Sequence, residues 1–252
     1  MSVKAKKINT DALGTFTGEV PRRDTAWNTA LRKCELTHQV TGSRLCMGSE
    51  GTFGPHPAMP FISAGIEILT LRDFQTGLCV TEQLVTPDNN FASHTCNDLK
   101  ELEAFAAKIG FPEHALVLRS NVEYAGGRTY KGIRKRRNLS KFFSLCKQAS
   151  KTGHVRADAD MRAHVNPTRM ESLRKLAEVM AKRLSSLCPA CDSPGWGMTD
   201  VVRGLACASC GMPTDLVRYE IWSCSVCLTL ERRPMLDALE AAKPDCCPYC
   251  NP

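Results

Sequence analysis

No run of eighteen apolar residues occurs in this sequence, so no segment reads as a membrane-spanning helix. The opening, Met1 to Lys7, has lysines but no apolar core and no cleavage-type site, so it does not read as a secretory signal. The expected location is cytoplasmic, where thiols stay reduced and available to metal ions. Charge is not extreme either. The 33 Lys and Arg against 26 Asp and Glu give +7, which permits a polyanionic partner without demanding one. A composition of 43% hydrophobic and 23% charged residues excludes wholesale disorder, and 252 residues suffice for one good core plus a small satellite domain. There is no internal repeat, with one exception.

That exception is the last quarter, which holds nine of the fourteen cysteines. They form four hooks, Cys188/Cys191, Cys207/Cys210, Cys224/Cys227 and Cys247/Cys250, with Cys246 left over. Two residues between partners let one tight turn aim two thiolates at one ion, and zinc prefers four such ligands in a tetrahedron. Two structural zinc ions are therefore expected, with every ligand position filled by protein and none open for catalysis. A disulfide framework would need an oxidising compartment, and a redox-active CxxC would not be repeated four times. Consecutive pairing would give two ribbons in series; interleaved pairing would give a cross-braced module. The short first spacer, with Pro194, Gly195 and alternating Val201, Val202 and Leu205, suits a hairpin between two hooks and favours ribbons in series. Cys34, Cys46, Cys79, Cys96 and Cys146 stand singly and read mostly as small buried hydrophobes.

Upstream, helical and extended patterns alternate. Asp24 or Thr25 opens a helix with Trp27, Ala30, Leu31 and Cys34 on one face, ended by Gly42. Residues 43–47 read as a short strand and 48–57 as a glycine- and proline-rich loop. Residues 66–71 and 78–85 read as strands joined by a turn with Asp73 and Gly77. Leu99, Leu102, Phe105, Ala106 and Ile109 mark a second helix; 115–119 is extended, 139–149 helical and 154–161 extended. Asn166 then caps the best helix, with Pro167 at its first position and an apolar stripe from Met170 to Leu187. The expectation is an α/β domain over 1–187, a layered sheet with covering helices, followed by a double zinc-ribbon module over 188–252.

Three stretches could carry chemistry. Glu50 and His56 are the titratable members of the 48–57 loop, where glycines would let backbone approach a ligand. On the strand at 154–161, Asp158 and Asp160 point to one face and with Glu50 would suit magnesium through hard oxygen ligands. Just beyond, Arg162, His164, Asn166, Thr168 and Arg169 surround a helix start, which suits a phosphate. The plain alternative is an Asp/Arg lattice that seats the helix. The third stretch is basic: Arg128, Lys131, Arg134, Lys135, Arg136, Arg137 and Lys141. It suits a nucleic-acid backbone or a triphosphate, although flanking Tyr124 and Tyr130 do not make a stacking platform.

The segments 14–19, 49–57 and 160–170 resemble an uncharacterised bacterial family whose members end in CPxC-type knuckles and a terminal Cys-Pro-Tyr-Cys-Asn-Pro, here residues 247–252. The likeness spans nearly the whole chain and implies no function. Those relatives begin with an additional βα unit ending in a Thr-Arg-His-Gly-Lys-like turn, so the first domain is expected to lack that unit. A more distant likeness is to inosine-triphosphatase-like pyrophosphatases, with Thr25 to Cys34 and Glu50 to Gly54 in the places of the Ala-rich helix and the acidic glycine loop. That resemblance implies a nucleotide or other phosphorylated ligand, and without the first unit a phosphate-binding lysine is missing. Two readings follow: a magnesium-assisted phosphate-ester or anhydride hydrolase with a zinc tail, or a non-catalytic adaptor binding nucleic acid or protein.

Overall fold

A computed structural model describes residues 8–15, 20–120, 127–235 and 240–251. Residues 16–19 of the first family-like segment, and Tyr124, lie outside them. The chain divides into two compact units, Met1–Thr70 with Thr81–Glu178, and Leu71–Val80 with Val179–Pro252.

In the first unit Thr25 caps α1 (Ala26–Thr41), its hydroxyl accepting the Asn28 N–H at 3.1 Å, and Gly42 closes the helix in the left-handed region. Such a cap is worth about 1 kcal/mol. The chain continues as β1 (Leu45–Pro55), β2 (Ser63–Asp73) and β3 (Cys79–Thr86), a three-stranded sheet in that order. The glycine-rich loop expected at 48–57 is corrected here: residues up to Pro55 lie inside β1. Its glycines serve close packing. A Cβ on Gly48 would lie 2.2 Å from the Ala30 carbonyl of α1, and one on Gly51 would lie 2.5 Å from Arg169 Nη2.

Next come β4 (Ser93–Cys96), α2 (Leu99–Ile109), β5 (Leu116–Arg119), β6 (Thr129–Ile133), α3 (Arg136–Ala149), β7 (Val155–Ala159) and α4 (Pro167–Ser185). The four strands form a sheet in the order β4-β7-β5-β6, each pairing antiparallel. Val155, Ala157 and Ala159 point into a core with Leu116 and Leu118, where Leu102 and Phe105 of α2 and Leu139 and Phe143 of α3 pack against them. Period-two alternation therefore leaves Arg156 and Asp158 on the other face. The expected layering of helices on sheet holds. Two strands went unread: β4, and β6, which takes up the front of the basic run.

Within the second unit, β8 (Gly197–Arg203), β9 (Val217–Ser223) and β10 (Leu230–Pro234) form an antiparallel meander. The unit also takes in the β2–β3 turn, where the Cys79 N–H donates to Ser225 Oγ at 3.2 Å. No helix among the described residues is long and apolar enough to cross a membrane.

Candidate metal centres and the charged residues of the first unit

The hook Cys188–Cys191 precedes β8 and the hook Cys224–Cys227 follows β9. Because Gly197 pairs with Ser223, both hooks lie at one end of the sheet. The same rule sends Cys207–Cys210 and Cys247–Cys250 elsewhere together. The four sulfurs of Cys188, Cys191, Cys224 and Cys227 converge within 4.8 Å of one another, as do those of Cys207, Cys210, Cys247 and Cys250. The consecutive pairing favoured by the sequence is thus wrong, and the module is cross-braced. The error lay in reading residues 192–206 as a whole hairpin; they carry a single strand, so successive hooks alternate between sheet ends.

Each group fits a tetrahedral ion. The Cys188–Cys227, Cys191–Cys224, Cys210–Cys247 and Cys207–Cys250 sulfur separations are 3.6, 3.7, 3.6 and 3.9 Å. A zinc tetrahedron with bonds near 2.3 Å has edges of about 3.8 Å. Three hooks share one local build. The first cysteine's sulfur accepts the N–H two residues on, at Ala190, Ser209 and Val226 (3.4–3.5 Å). The residue after the second cysteine turns left-handed, at Asp192 (φ 55), Gly211 (φ 73) and Leu228 (φ 61). It donates back to the first cysteine's carbonyl at 2.9, 2.9 and 3.1 Å. Antiparallel bridges Leu187–Pro194 and Ala206–Pro213 close the first two hooks. Within each group the thiols are set unevenly: burial pushes Cys188 up to about 11, and the hydrogen bond with Cys210 pushes Cys250 up to about 12. The Thr229 hydroxyl, 3.1 Å away, and the Thr229 N–H lower Cys227 to about 6, while the N–H groups of Cys210 and Ser209 lower Cys207 to about 7. Of the remaining cysteines, burial pushes Cys96 and Cys146 up to about 11, the behaviour of inert core thiols.

In the first unit the candidate acids are all held by cations. Glu50, on β1, pairs with Arg22 at 2.7 Å and Lys33 at 2.8 Å. Asp158 accepts from Arg119 at 2.7 and 2.9 Å and from Arg156 at 2.9 Å. Asp160, its side chain wholly buried, takes Arg162 at 2.7 Å and the Gly132 N–H at 3.0 Å. Glu50, Asp158 and Asp160 do not form one of the groups that could hold a metal ion among the described residues, which are both of cysteine. The expected joint magnesium site is not assembled. His56 sits past the end of β1 and its Nδ1 accepts the Ala58 N–H at 3.1 Å.

The helix start at α4 is likewise filled from within. Asn166 Oδ1 accepts the Arg169 N–H at 3.1 Å. His114, which no sequence pattern singles out, meets Thr168 Oγ1 at 2.9 Å and takes the Thr168 N–H at 3.4 Å. Arg169 turns to Glu67, making bonds of 2.7 and 3.0 Å, and lies over the Phe53 ring. His164 is exposed on a short 3-10 turn. Glu67 is the residue the sequence reading missed. It is 1% exposed, and burial pushes its carboxyl above the usual range against the pull of Arg169. The signal was present: Glu67 is the lone charge between Ile62 and Leu71.

Fold and cysteine geometry together define a protein of mixed helices and sheets carrying a cross-braced module with two four-cysteine groups that could each hold a metal ion. A family model described as a domain of unknown function (DUF6671) matches residues 33–252, and the chain belongs to that family. No protein of curated function and no solved structure matches it.

Proposed function

We propose that the protein is a non-catalytic adaptor in which two zinc ions hold the second unit in shape and the start of α3 takes a polyanion, most directly a nucleic-acid backbone. The observation that carries this reading is where unpaired charge resides. The candidate catalytic carboxylates are neutralised internally, whereas Lys135, Arg136, Arg137 and Lys141 are exposed and meet no carboxylate among the described residues. These cations crowd a helix N-terminus whose Ncap, Lys135, supplies no capping bond and whose first turn has no acid. Like charge there opposes the helix dipole, at about 0.3–1 kcal/mol per residue, and a bound anion reverses the sign. Residues 179–252 hold seven Lys and Arg against eight Asp and Glu, so the positive excess belongs to the rest of the chain. The test is fluorescence anisotropy with single- and double-stranded RNA and DNA between 50 and 200 mM salt. K135E/R136E/R137E/K141E should abolish binding at the upper end and flatten the salt slope by about 0.7–0.9 for each phosphate no longer neutralised. Equal binding by that variant, or none by the parent, ends the proposal.

A second reading draws on Glu67, a buried carboxyl shifted upward beside an arginine, the kind of perturbed group that active sites employ. With the likeness to inosine-triphosphatase-like pyrophosphatases, it supports hydrolysis of a phosphate ester or anhydride in the first unit, with magnesium added. Phosphate and pyrophosphate release from a panel of nucleoside triphosphates decides it: turnover must fall in Glu50→Gln and Glu67→Gln. Turnover unchanged in both variants, or absent in the parent, rejects it.

A further inference from the structure

Two of the three tryptophans meet in the second unit. Trp196, 4% exposed, and the half-buried Trp222 stand with ring centroids 6.4 Å apart and planes at 46°. Trp196 is fixed from below by packing on Cys188 and Cys224 and from either side by Arg183, which donates to the Gly195 and Met198 carbonyls. Its own indole N–H, though buried, meets no acceptor among the described residues. The Trp222 N–H donates to Glu220 at 2.8 Å. One side chain fills this aromatic pair. The guanidinium of Arg233, from the edge strand β10, lies 4.2 Å from the Trp222 centroid and 5.9 Å from that of Trp196. Glu231 holds it from the side at 2.7 Å, and the negative charge of Glu220 also acts on it.

We propose that this Trp196–Trp222–Glu220–Glu231 site is a recognition site for an arginine side chain of a basic peptide segment, and that Arg233 occupies it as an internal stand-in. Arg233 shows that the site accepts a guanidinium: indole faces attract a cation, and two carboxylates at the rim complete the match. Charge favours a basic visitor. Residues 179–252 are nearly neutral in sequence, and each four-thiolate centre adds two negative charges when it holds a divalent ion. Arg233 is 35% exposed and is held outside the backbone by one carboxylate, so a competing guanidinium can replace it without breaking the sheet. The stand-in lowers apparent affinity by the fraction of time it occupies the site, as any internal competitor must. This proposal does not rest on polyanion binding at α3.

The experiment uses the full chain loaded with zinc, with Trp27→Phe as background so that emission reports Trp196 and Trp222 alone. Tri-arginine, tri-lysine and triglycine are the probes, and metal content is the check on folding. The expected result is tri-arginine binding that tightens at least tenfold in Arg233→Ala, weakens about tenfold in Glu220→Gln/Glu231→Gln, and disappears in Trp222→Ala. Arg233→Gln replaces Arg233→Ala should the latter lose metal. Unchanged affinity on removing Arg233, undiminished binding by Trp222→Ala read by calorimetry, or equal binding of tri-lysine and tri-arginine would each overturn it, the last by reducing it to general attraction.

Discussion

Gly197 and Ser223 face each other across β8 and β9, and this register puts Cys188 and Cys224 at the same end of one small sheet. From that pair the metal-ligand assignment follows without any reference to the ion.

Removing cysteines two at a time exposes the assignment. Cys191→Ser/Cys227→Ser should retain one zinc ion per chain at saturation, since both losses fall in one centre. Cys191→Ser/Cys210→Ser should weaken both centres and approach zero under mild chelation. Native mass spectrometry of the zinc-loaded variants reads the difference, and the reverse pattern would restore ribbons in series.

Acid should release the two ions unequally once Thr229 is altered. The Thr229 hydroxyl and N–H lower the Cys227 thiol to about 6, so its thiolate is available to an ion above that pH and is lost as pH falls through it. Thr229→Val should move release from the Cys188/Cys191/Cys224/Cys227 centre to higher pH and leave the other centre in place. A colorimetric zinc indicator followed through an acid titration measures both steps; one shared, unshifted step contradicts the account.

Arg169 and Glu67 form a buried ion pair in the first unit. Arg169→Ala strands Glu67 and should cost about 3–5 kcal/mol in denaturant unfolding, while Glu67→Gln/Arg169→Met should cost less. The folded chain holds the Glu67 proton more tightly than the unfolded chain does. Its contribution is therefore fullest below the ordinary carboxylate range and is lost as pH rises through the folded value. Glu67→Gln should remove that slope. An unchanged pH profile would assign the slope to other groups.

Leu228 is 81% exposed and left-handed, a position that costs a leucine about 1–2 kcal/mol and gains it little burial. Leu228→Gly should raise the melting temperature of the zinc-loaded protein, and Gly211→Ala should lower it. Shifts of the same sign in both would show that something other than backbone handedness governs the hooks.

Local signals in the sequence carried far. The caps at Thr25 and Asn166, the stops at Gly42 and Gly110 and the apolar faces of α2 and α3 are short-range physics, and each element stands where its residues place it. The eight hook cysteines were equally plain, because spacing alone is enough to present two thiolates. What misled was glycine. Gly48 and Gly51 look like loop residues in one dimension, yet they mark where α1 and the Glu67–Arg169 pair come too close for a side chain. That closeness is a property of neighbours distant in sequence. The same holds for Asp158, Asp160 and the α4 start, whose residue types suit a magnesium-phosphate site equally well as a lattice of internal pairs. Only the positions of Arg119, Arg156, Arg162 and His114 distinguish the two. The hook pairing was within reach, since one strand between successive hooks in a meander must send them to opposite ends.

Cross-bracing also makes the two ions interdependent. An ion in one group would close the chain between Cys191 and Cys224, an ion in the other between Cys210 and Cys247, and residues 211–223 would lie inside both loops. An ion at either group would shorten the loop the other has to close, so the first ion bound should tighten the second without being required for it. A chain left with one group, as in Cys191→Ser/Cys227→Ser, should therefore keep its single ion but hold it more weakly than the fully loaded protein does.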